Sequence, residues 1–231
     1  MRSIDLAAPG RAEIIRADFD RIADADPVAG FEASARAVAE LLELLPGRIA
    51  DALDLGSGSG ILARRLAARA DRVIGIDLSP RMVALARASS AGIANVEWRT
   101  GDFMTDDLPA AGFDAVCSVA TFHHLPLDAA LARAASLVRP GGWLLVVDLF
   151  QPVGVGGFLH NAFSWLLTRW EGLRRARPSR AAREAWRAHE RNDRHPTLAE
   201  VRAAAALLPG ARVTVRPRWR WTLAWRRPDP R

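Results

Sequence analysis

Short apolar runs rich in β-branched residues alternate along the chain with longer stretches in which apolar positions recur at helical spacing, the pattern of repeated strand–helix units. Strands are predicted over Ala52–Leu55, Val73–Asp77, Asn95–Arg99, Asp114–Val119 and Trp143–Leu149. Helices over Ile61–Arg69, Pro80–Ala88 and Leu127–Val138 fill three of the intervals between them. Ser79-Pro80 marks a helix start, because Ser caps while Pro takes the first helical position without losing a needed donor. Pro140-Gly141-Gly142 is expected to stop the helix after the fourth strand and turn the chain into the fifth.

Two amphipathic helices, Arg11–Ala23 and Glu32–Leu45, precede this unit. After it, a helix over Phe158–Arg175 gathers Phe158, Phe163, Leu166 and Trp170 on one face, and an Arg-rich helical stretch follows from Ser179 to Asp193. Thr197-Leu198-Ala199-Glu200 has the spacing of a capping box at the start of a short Ala-rich helix. The alternating segments Ala211–Arg216 and Trp219–Trp225, split by Pro217, are expected to pair antiparallel.

The chain has 231 residues, half of them hydrophobic and a quarter charged, which excludes a disordered polymer, a bundle of membrane spans and a small stapled fold. All 32 basic residues are Arg, and their distribution is uneven: residues 1–150 hold 15 Arg against 20 acids, and residues 151–231 hold 17 against 6. The surplus admits three readings: a solvated face, a contact with phosphate or nucleic acid, or attachment to an anionic membrane surface. The lone Cys117 has no disulfide partner within the chain, and acids at Asp5, Glu13 and Asp18 interrupt the N-terminal stretch, so a reducing cytoplasmic home without a signal peptide is expected.

The sharpest local feature is Leu53-Asp54-Leu55-Gly56-Ser57-Gly58-Ser59-Gly60, in which a strand runs into a glycine-rich turn and then a helix. Glycines suit a turn where the backbone bends tightly and lets a ligand approach without intervening Cβ atoms. The next strand ends at Asp77, 17 residues after Gly60, where a carboxylate can accept hydrogen bonds from both ribose hydroxyls of a nucleoside. Gly101-Asp102-Phe103 after the third strand offers an acid for an adenine amino group and an aromatic ring to cover the base. A nicotinamide-binding turn is the rival, but it wants a third glycine where this chain has Ile61.

These stretches resemble the class I S-adenosylmethionine-dependent methyltransferases, especially the small-molecule group that includes the ubiquinone and menaquinone C-methylating enzymes. The resemblance runs from about Phe19 to Phe150 and adds the fourth-strand stretch Phe113 to Leu125 and the closing Leu137-Val138-Arg139-Pro140-Gly141-Gly142. It implies an α/β fold: a Rossmann-like three-layer αβα sandwich on a mostly parallel seven-stranded sheet whose last strand is antiparallel. One methyltransferase domain would span 1–231, with an N-terminal helical lid (1–48), a cofactor-binding core (49–150), a helical insertion capping the acceptor (151–196), and a last helix with the strand pair (197–231). The implied cofactor is S-adenosylmethionine, leaving as S-adenosylhomocysteine.

On this resemblance the cofactor-binding residues are Phe19, Asp54, Gly56, Ser57, Gly58, Gly60, Asp77, Leu78, Met82, Gly101, Asp102, Phe103, Val119 and Ala120. Asp54 would face the cationic amino-acid end with the carbonyls of Val119 and Ala120, Leu78 and Met82 would pack on the adenine, and Phe19 would belong to the lid. Phe19 stands where a Tyr is often found in the family. His123 and His124, just past a strand end, are the candidate catalytic pair, with Asp148 a second candidate for substrate contact or proton acceptance. No metal is implied. The expected partner is a small-molecule acceptor, O-, C- or N-nucleophilic and aromatic or lipid-like, with peripheral membrane contact as a minor alternative and nucleic acid disfavoured. A methyltransferase-fold subunit that binds the nucleoside without transferring methyl is the competing class. The residues leave the oligomeric state open.

Overall fold

A computed structural model describes residues 5–25, 32–45, 47–154 and 179–229. Seven strands form one sheet: β1 (Ile49–Leu55), β2 (Ala70–Asp77), β3 (Val96–Thr100), β4 (Phe113–Val119), β5 (Val138–Leu149), β6 (Arg212–Arg216) and β7 (Arg220–Arg226). Their order is β3-β2-β1-β4-β5-β7-β6, with β7 alone running antiparallel to β5 and β6. The order reverses between β1 and β4, so the crevice for a ligand in such a sheet opens at their carboxyl ends.

The described helices are α1 (Arg11–Ala25), α2 (Glu32–Glu43), α3 (Ile61–Leu66), α4 (Pro80–Ala88), α5 (Leu127–Leu137), α6 (Arg180–Glu190) and α7 (Leu198–Ala205). Strand alternation sorts the core into two layers. Leu53, Val116, Leu144 and Val146 join a cluster with residues of α5 and α7, while Ala52, Ala115, Cys117, Leu145 and Val147 join one with residues of α2 and α3. Covering both faces explains why the central strands are apolar almost throughout. The expected caps are in place: Ser79 Oγ accepts from Met82 N with Pro80 following, and Thr197 and Glu200 form the capping box of α7.

Two differences from the sequence expectation have physical causes. Pro140-Gly141-Gly142 does not separate helix from strand: α5 ends at Leu137, β5 begins at Val138, and the tripeptide lies inside β5 where the pairing with β4 slips. Gly141 takes φ 74° there, and its N–H reaches Arg227 O at 2.9 Å, so an edge contact absorbs the irregularity. The helix after β1 ends at Leu66 rather than Arg69, because β2 begins by Ala70, which pairs with Ile49. The apolar helix expected over Phe158–Arg175 falls outside the described residues. Among the described residues no helix is long and apolar enough to cross a membrane.

Candidate active site

The carboxyl ends of the central strands open onto a cavity of about 740 Å³. β1 delivers Asp54 and then the glycine turn, which is tied to the next strand by Gly56 N and Ser57 N donating to Ile76 O at 2.9 and 3.0 Å. Gly56 has φ 68° and Gly60 φ 80°. A Cβ would collide with the Thr121 side chain at the first and with the Trp98 ring at the second, so neither position accepts a larger residue without movement.

The acids at this end have no cationic side-chain partner among the described residues; Asp54 is buried, and Asp77 and Asp102 are half-buried. Asp54, 1% exposed, accepts from Ala63 N at 3.0 Å, and burial pushes its carboxyl up to about 8. Asp77 accepts from Gly58 N and Ser79 N, each at 2.8 Å, and burial raises it to about 6 against those two donors. Asp102 accepts from Met104 N at 2.9 Å. Ser57 Oγ is buried and has no hydrogen-bond partner.

Leu78, Gly101, Asp102, Phe103, Val119 and Ala120 all line the cavity, as do Phe19, Asp54, Gly56, Ser57, Gly58 and Asp77. Phe103 also stacks on Phe122, ring centroids 6.0 Å apart. Ala120 holds a left-handed φ of 57° while its N–H bonds Val147 O, a strained turn at the exit of β4. Met82 and Gly60 are the exceptions to the expected lining set. Met82 is wholly buried, since its place in the first turn of α4 directs it into the core, and Gly60 is the left-handed residue at the N-cap of α3.

At the other end of the same cavity, a 3₁₀ turn over Phe122–His124 presents His123 and His124. Asp148, near the end of β5, accepts from Thr121 N at 3.2 Å, Phe122 N at 2.6 Å and His123 N at 3.2 Å. Its other oxygen meets His123 Nδ1 at 2.5 Å. The far nitrogen of that ring, Nε2, lies 3.6 Å from Asp193 Oδ2. His124 Nδ1 approaches Asp193 Oδ1 to 2.9 Å, yet neither of those atoms makes a hydrogen bond, and neither does His124 Nε2.

Two more imidazoles face Asp193: His189 Nε2 at 3.6 Å and His195 Nε2 at 3.5 Å. His189 Nδ1 in turn faces Asp18 of α1 at 3.4 Å, and Asn192 donates to the same carboxylate at 2.9 Å. Phe19 packs against His189 and His124, ring centroids 4.8 and 5.6 Å away. Its neighbour Asp20 accepts from Ser79 Oγ at 2.6 Å, two residues beyond Asp77. Burial disfavours charge on His123, His124 and His189, but Asp148 and Asp193 outweigh it at His123 and hold that ring up at about 10. Burial and the neighbouring His123 push His124 down to about 4. Both carboxylates are lowered despite burial, Asp148 by His123 and Asp193 by the histidines facing it.

Asp18, His189, Asp193 and His195 carry no mark as site residues in the linear reading. The available signal was the run His189-x-x-x-Asp193-x-His195, three potential ligands in seven residues, hidden inside a segment dominated by Arg.

Residues 52–142 match a family model described as a methyltransferase domain. The chain is 38% identical over 181 residues, 76% of its length and 86% of the relative's, to uncharacterized methyltransferases of Mycobacterium tuberculosis and Mycobacterium bovis. A demethylmenaquinone methyltransferase of Tropheryma whipplei is 34% identical over 161 residues, 64% of this chain and 65% of that one. Among solved structures, a DhpI complex with S-adenosylhomocysteine superposes with TM-score 0.65 at 25% identity, covering 97% of this chain and all of the other. The chain belongs to the class I S-adenosylmethionine-dependent methyltransferases. It is an enzyme of that class, and S-adenosylmethionine is its cofactor. The cavity suits such a molecule: Gly56 and Gly58 present backbone without Cβ atoms, the Ser57 hydroxyl is unpartnered, and the buried Asp54 has no cationic partner among the described residues that would favour its ionised form.

Proposed function

We propose that the enzyme methylates a small-molecule acceptor, with the cofactor along the β1–β3 rim and the acceptor against the histidine cluster. One observation carries this reading: Asp54, Asp77 and Asp102 share a single cavity with His123, His124 and Asp193. The bound cofactor supplies a sulfonium methyl that is electrophilic without further activation. The protein's contribution is then alignment and dehydration, an effect of up to about 7–11 kcal/mol.

Asp77 is assigned to the ribose hydroxyls and Asp102 to the adenine amino group, with Leu78 and Phe103 against the ring. Asp54 faces the cationic amino-acid end together with the carbonyls of Val119 and Ala120, and Gly56, Ser57 and Gly58 form the wall along which the cofactor lies. Phe19 covers the cavity from α1. His123 and His124 act on the acceptor. The described part of the insertion, 179–196, serves as its cap, a role supported by Trp186, His189, Asp193 and His195, which line the cavity. The described Arg residues of this cap favour a solvated face: Arg180 is exposed and pairs with Glu184 of the same helix at 2.8 Å.

A small-molecule acceptor is also what the names of several relatives indicate for those proteins, including a ubiquinone biosynthesis O-methyltransferase of Leptothrix cholodnii, 36% identical over 99 residues. Mass spectrometry of the purified protein should find S-adenosylmethionine or its demethylated product. Incubation with methyl-labelled cofactor and a panel of phenols, quinols and carboxylic acids should transfer label to at least one class. Cofactor binding with no transfer to any of them, or to cell-extract small molecules, would favour the non-catalytic subunit.

A further inference from the structure

We propose that His123, His124 and Asp193 form a binding site for a divalent transition-metal ion at the acceptor end of the cleft. The inference rests on the reading of the cleft given above and refines what the histidine pair does there. One donor atom from each of these residues lies within 4.8 Å of the other two. Two donors bound to one tetrahedral ion at zinc distances sit about 3.3 Å apart. The separations from the two oxygens of the Asp193 carboxylate, 2.9 Å from Oδ1 to His124 Nδ1 and 3.6 Å from Oδ2 to His123 Nε2, lie to either side of that value.

The hydrogen bonding leaves the same vacancy in chemical terms. His124 is 4% exposed, and neither of its ring nitrogens has a hydrogen-bond partner. Asp193 Oδ1, 2.9 Å away, is also unpartnered. Buried donors and acceptors left this way are costly, and a close N···O pair that is not a hydrogen bond is the arrangement that two ligands of one ion adopt.

The surrounding groups are arranged as supports. Asp148 holds His123 Nδ1 at 2.5 Å, which directs Nε2 toward Asp193 as the free donor. Carboxylate–histidine pairs of this kind fix the tautomer and orientation of metal-bound imidazoles. Asp18 and His189 repeat the device from α1 and α6, with Nε2 again turned to Asp193. His195 borders the site, its Nε2 buried, unpartnered and 3.5 Å from Asp193.

Two imidazole nitrogens and a carboxylate oxygen select an ion of the zinc, cobalt or iron type over magnesium or calcium. Three protein ligands leave a coordination position open, and all three residues line the cavity, so the position faces the acceptor. The acceptor class that fits is an oxygen anion: a carboxylate, phenolate or enolate. Its hydroxyl proton is lost to solvent before transfer; the oxygen lone pair then forms the new O–C bond while the S–C pair stays on sulfur as the thioether. His123 and His124 then serve as ligands, and no general base is needed.

The test uses the full chain, freed of metal by a chelator, titrated with zinc chloride by calorimetry and with cobalt chloride by visible absorption. One equivalent of each should bind, cobalt giving the ligand-field bands of a four- or five-coordinate site. Asp193→Asn and His124→Gln should each weaken zinc binding at least about 100-fold, and Asp148→Asn about 10- to 100-fold, while retained S-adenosylhomocysteine affinity shows that the variants are folded. Asp77→Asn should lose S-adenosylhomocysteine and keep zinc. Acetohydroxamate, a chelating oxygen anion, should shift the cobalt bands. Wild-type protein that takes up no stoichiometric zinc or cobalt, or zinc binding unchanged in both ligand variants, overturns the site; unshifted bands overturn the acceptor class. A wild type that binds S-adenosylhomocysteine but not zinc overturns the metal alone, and one that fails to bind S-adenosylhomocysteine overturns the reading of the cleft.

Discussion

The two ends of the cavity use the same residue type to opposite electrostatic effect. Asp54 and Asp77, at the β1 and β2 ends, are raised by burial and further by a neighbouring carboxylate, Asp77 for the first and Asp20 for the second, against backbone N–H donors that lower them. Asp148, buried, and Asp193, half-buried, are instead lowered because imidazoles face them. Buried carboxylates therefore cost the native state stability at the cofactor end and contribute to it at the acceptor end. The first pair has no cationic partner among the described residues, whereas imidazoles face the second.

The largest test of this contrast is Asp148→Ala. It strips an acceptor from the N–H groups of Phe122 and His123 and a carboxylate from the His123 ring. Removing one partner of such a buried group should lower the unfolding free energy by about 3–5 kcal/mol, measured by urea denaturation. A loss below about 1 kcal/mol would mean that this end is not braced by its acids.

Asp77→Ala should act on the ligand rather than the fold. S-adenosylhomocysteine affinity should drop about 100-fold or more by calorimetry, the equivalent of about 2.7 kcal/mol, with the unliganded melting temperature held or raised. Unchanged affinity would remove Asp77 from the ribose and with it the firmest point of the cofactor assignment.

Asp54→Asn probes the sign directly. The native state keeps the Asp54 proton up to about pH 8, while an unfolded Asp loses it near 3.8. Wild-type stability from this group therefore falls as pH rises across that window and falls no further above it. The Asn variant should melt higher than wild type by ~5 °C at pH 8, with a smaller gain at pH 5, and should bind S-adenosylhomocysteine more weakly. A gain that does not grow with pH would contradict burial as the cause.

The smallest expected effect belongs to Asp20→Ala. It removes the 2.6 Å bond to Ser79 without touching the cavity wall. Stability should change by about 1 kcal/mol, with a modest rise in the S-adenosylhomocysteine dissociation constant. A loss as large as that of Asp77→Ala would put α1 among the determinants of cofactor binding.

The contrast also separates what was legible in the sequence from what was not. The cofactor end is made of contiguous words: Asp54 to Gly60 is one strand and its turn, Asp77 ends the next strand, and Gly101-Asp102 follows the third. Period-two and glycine signals locate all of them without tertiary information. At the acceptor end only His123, His124 and Asp148 stand at strand ends where chemistry is expected. Asp193, His189, His195 and Asp18 come from α1, α6 and the turn after α6, and they meet only through packing that no local pattern encodes. Met82, expected against the adenine, is wholly buried and does not line the cavity, because its place in the first turn of α4 directs it into the core. The slipped pairing in β5 escaped notice because Pro-Gly-Gly looks like a stop signal, whereas the edge contact of Gly141 with Arg227 lets it remain in the sheet.

Phe19 and Asp20 are consecutive residues of α1, one resting on His124 and His189 and the other bonded to Ser79 beside Asp77. A single helical turn is thereby fastened to both halves of the cavity. Neither binding event can displace that turn privately: a shift that loosens Phe19 from the imidazoles also pulls on the hydroxyl that caps α4. The contact with the imidazoles and the brace on the cap of α4 are carried by the same few ångströms of backbone.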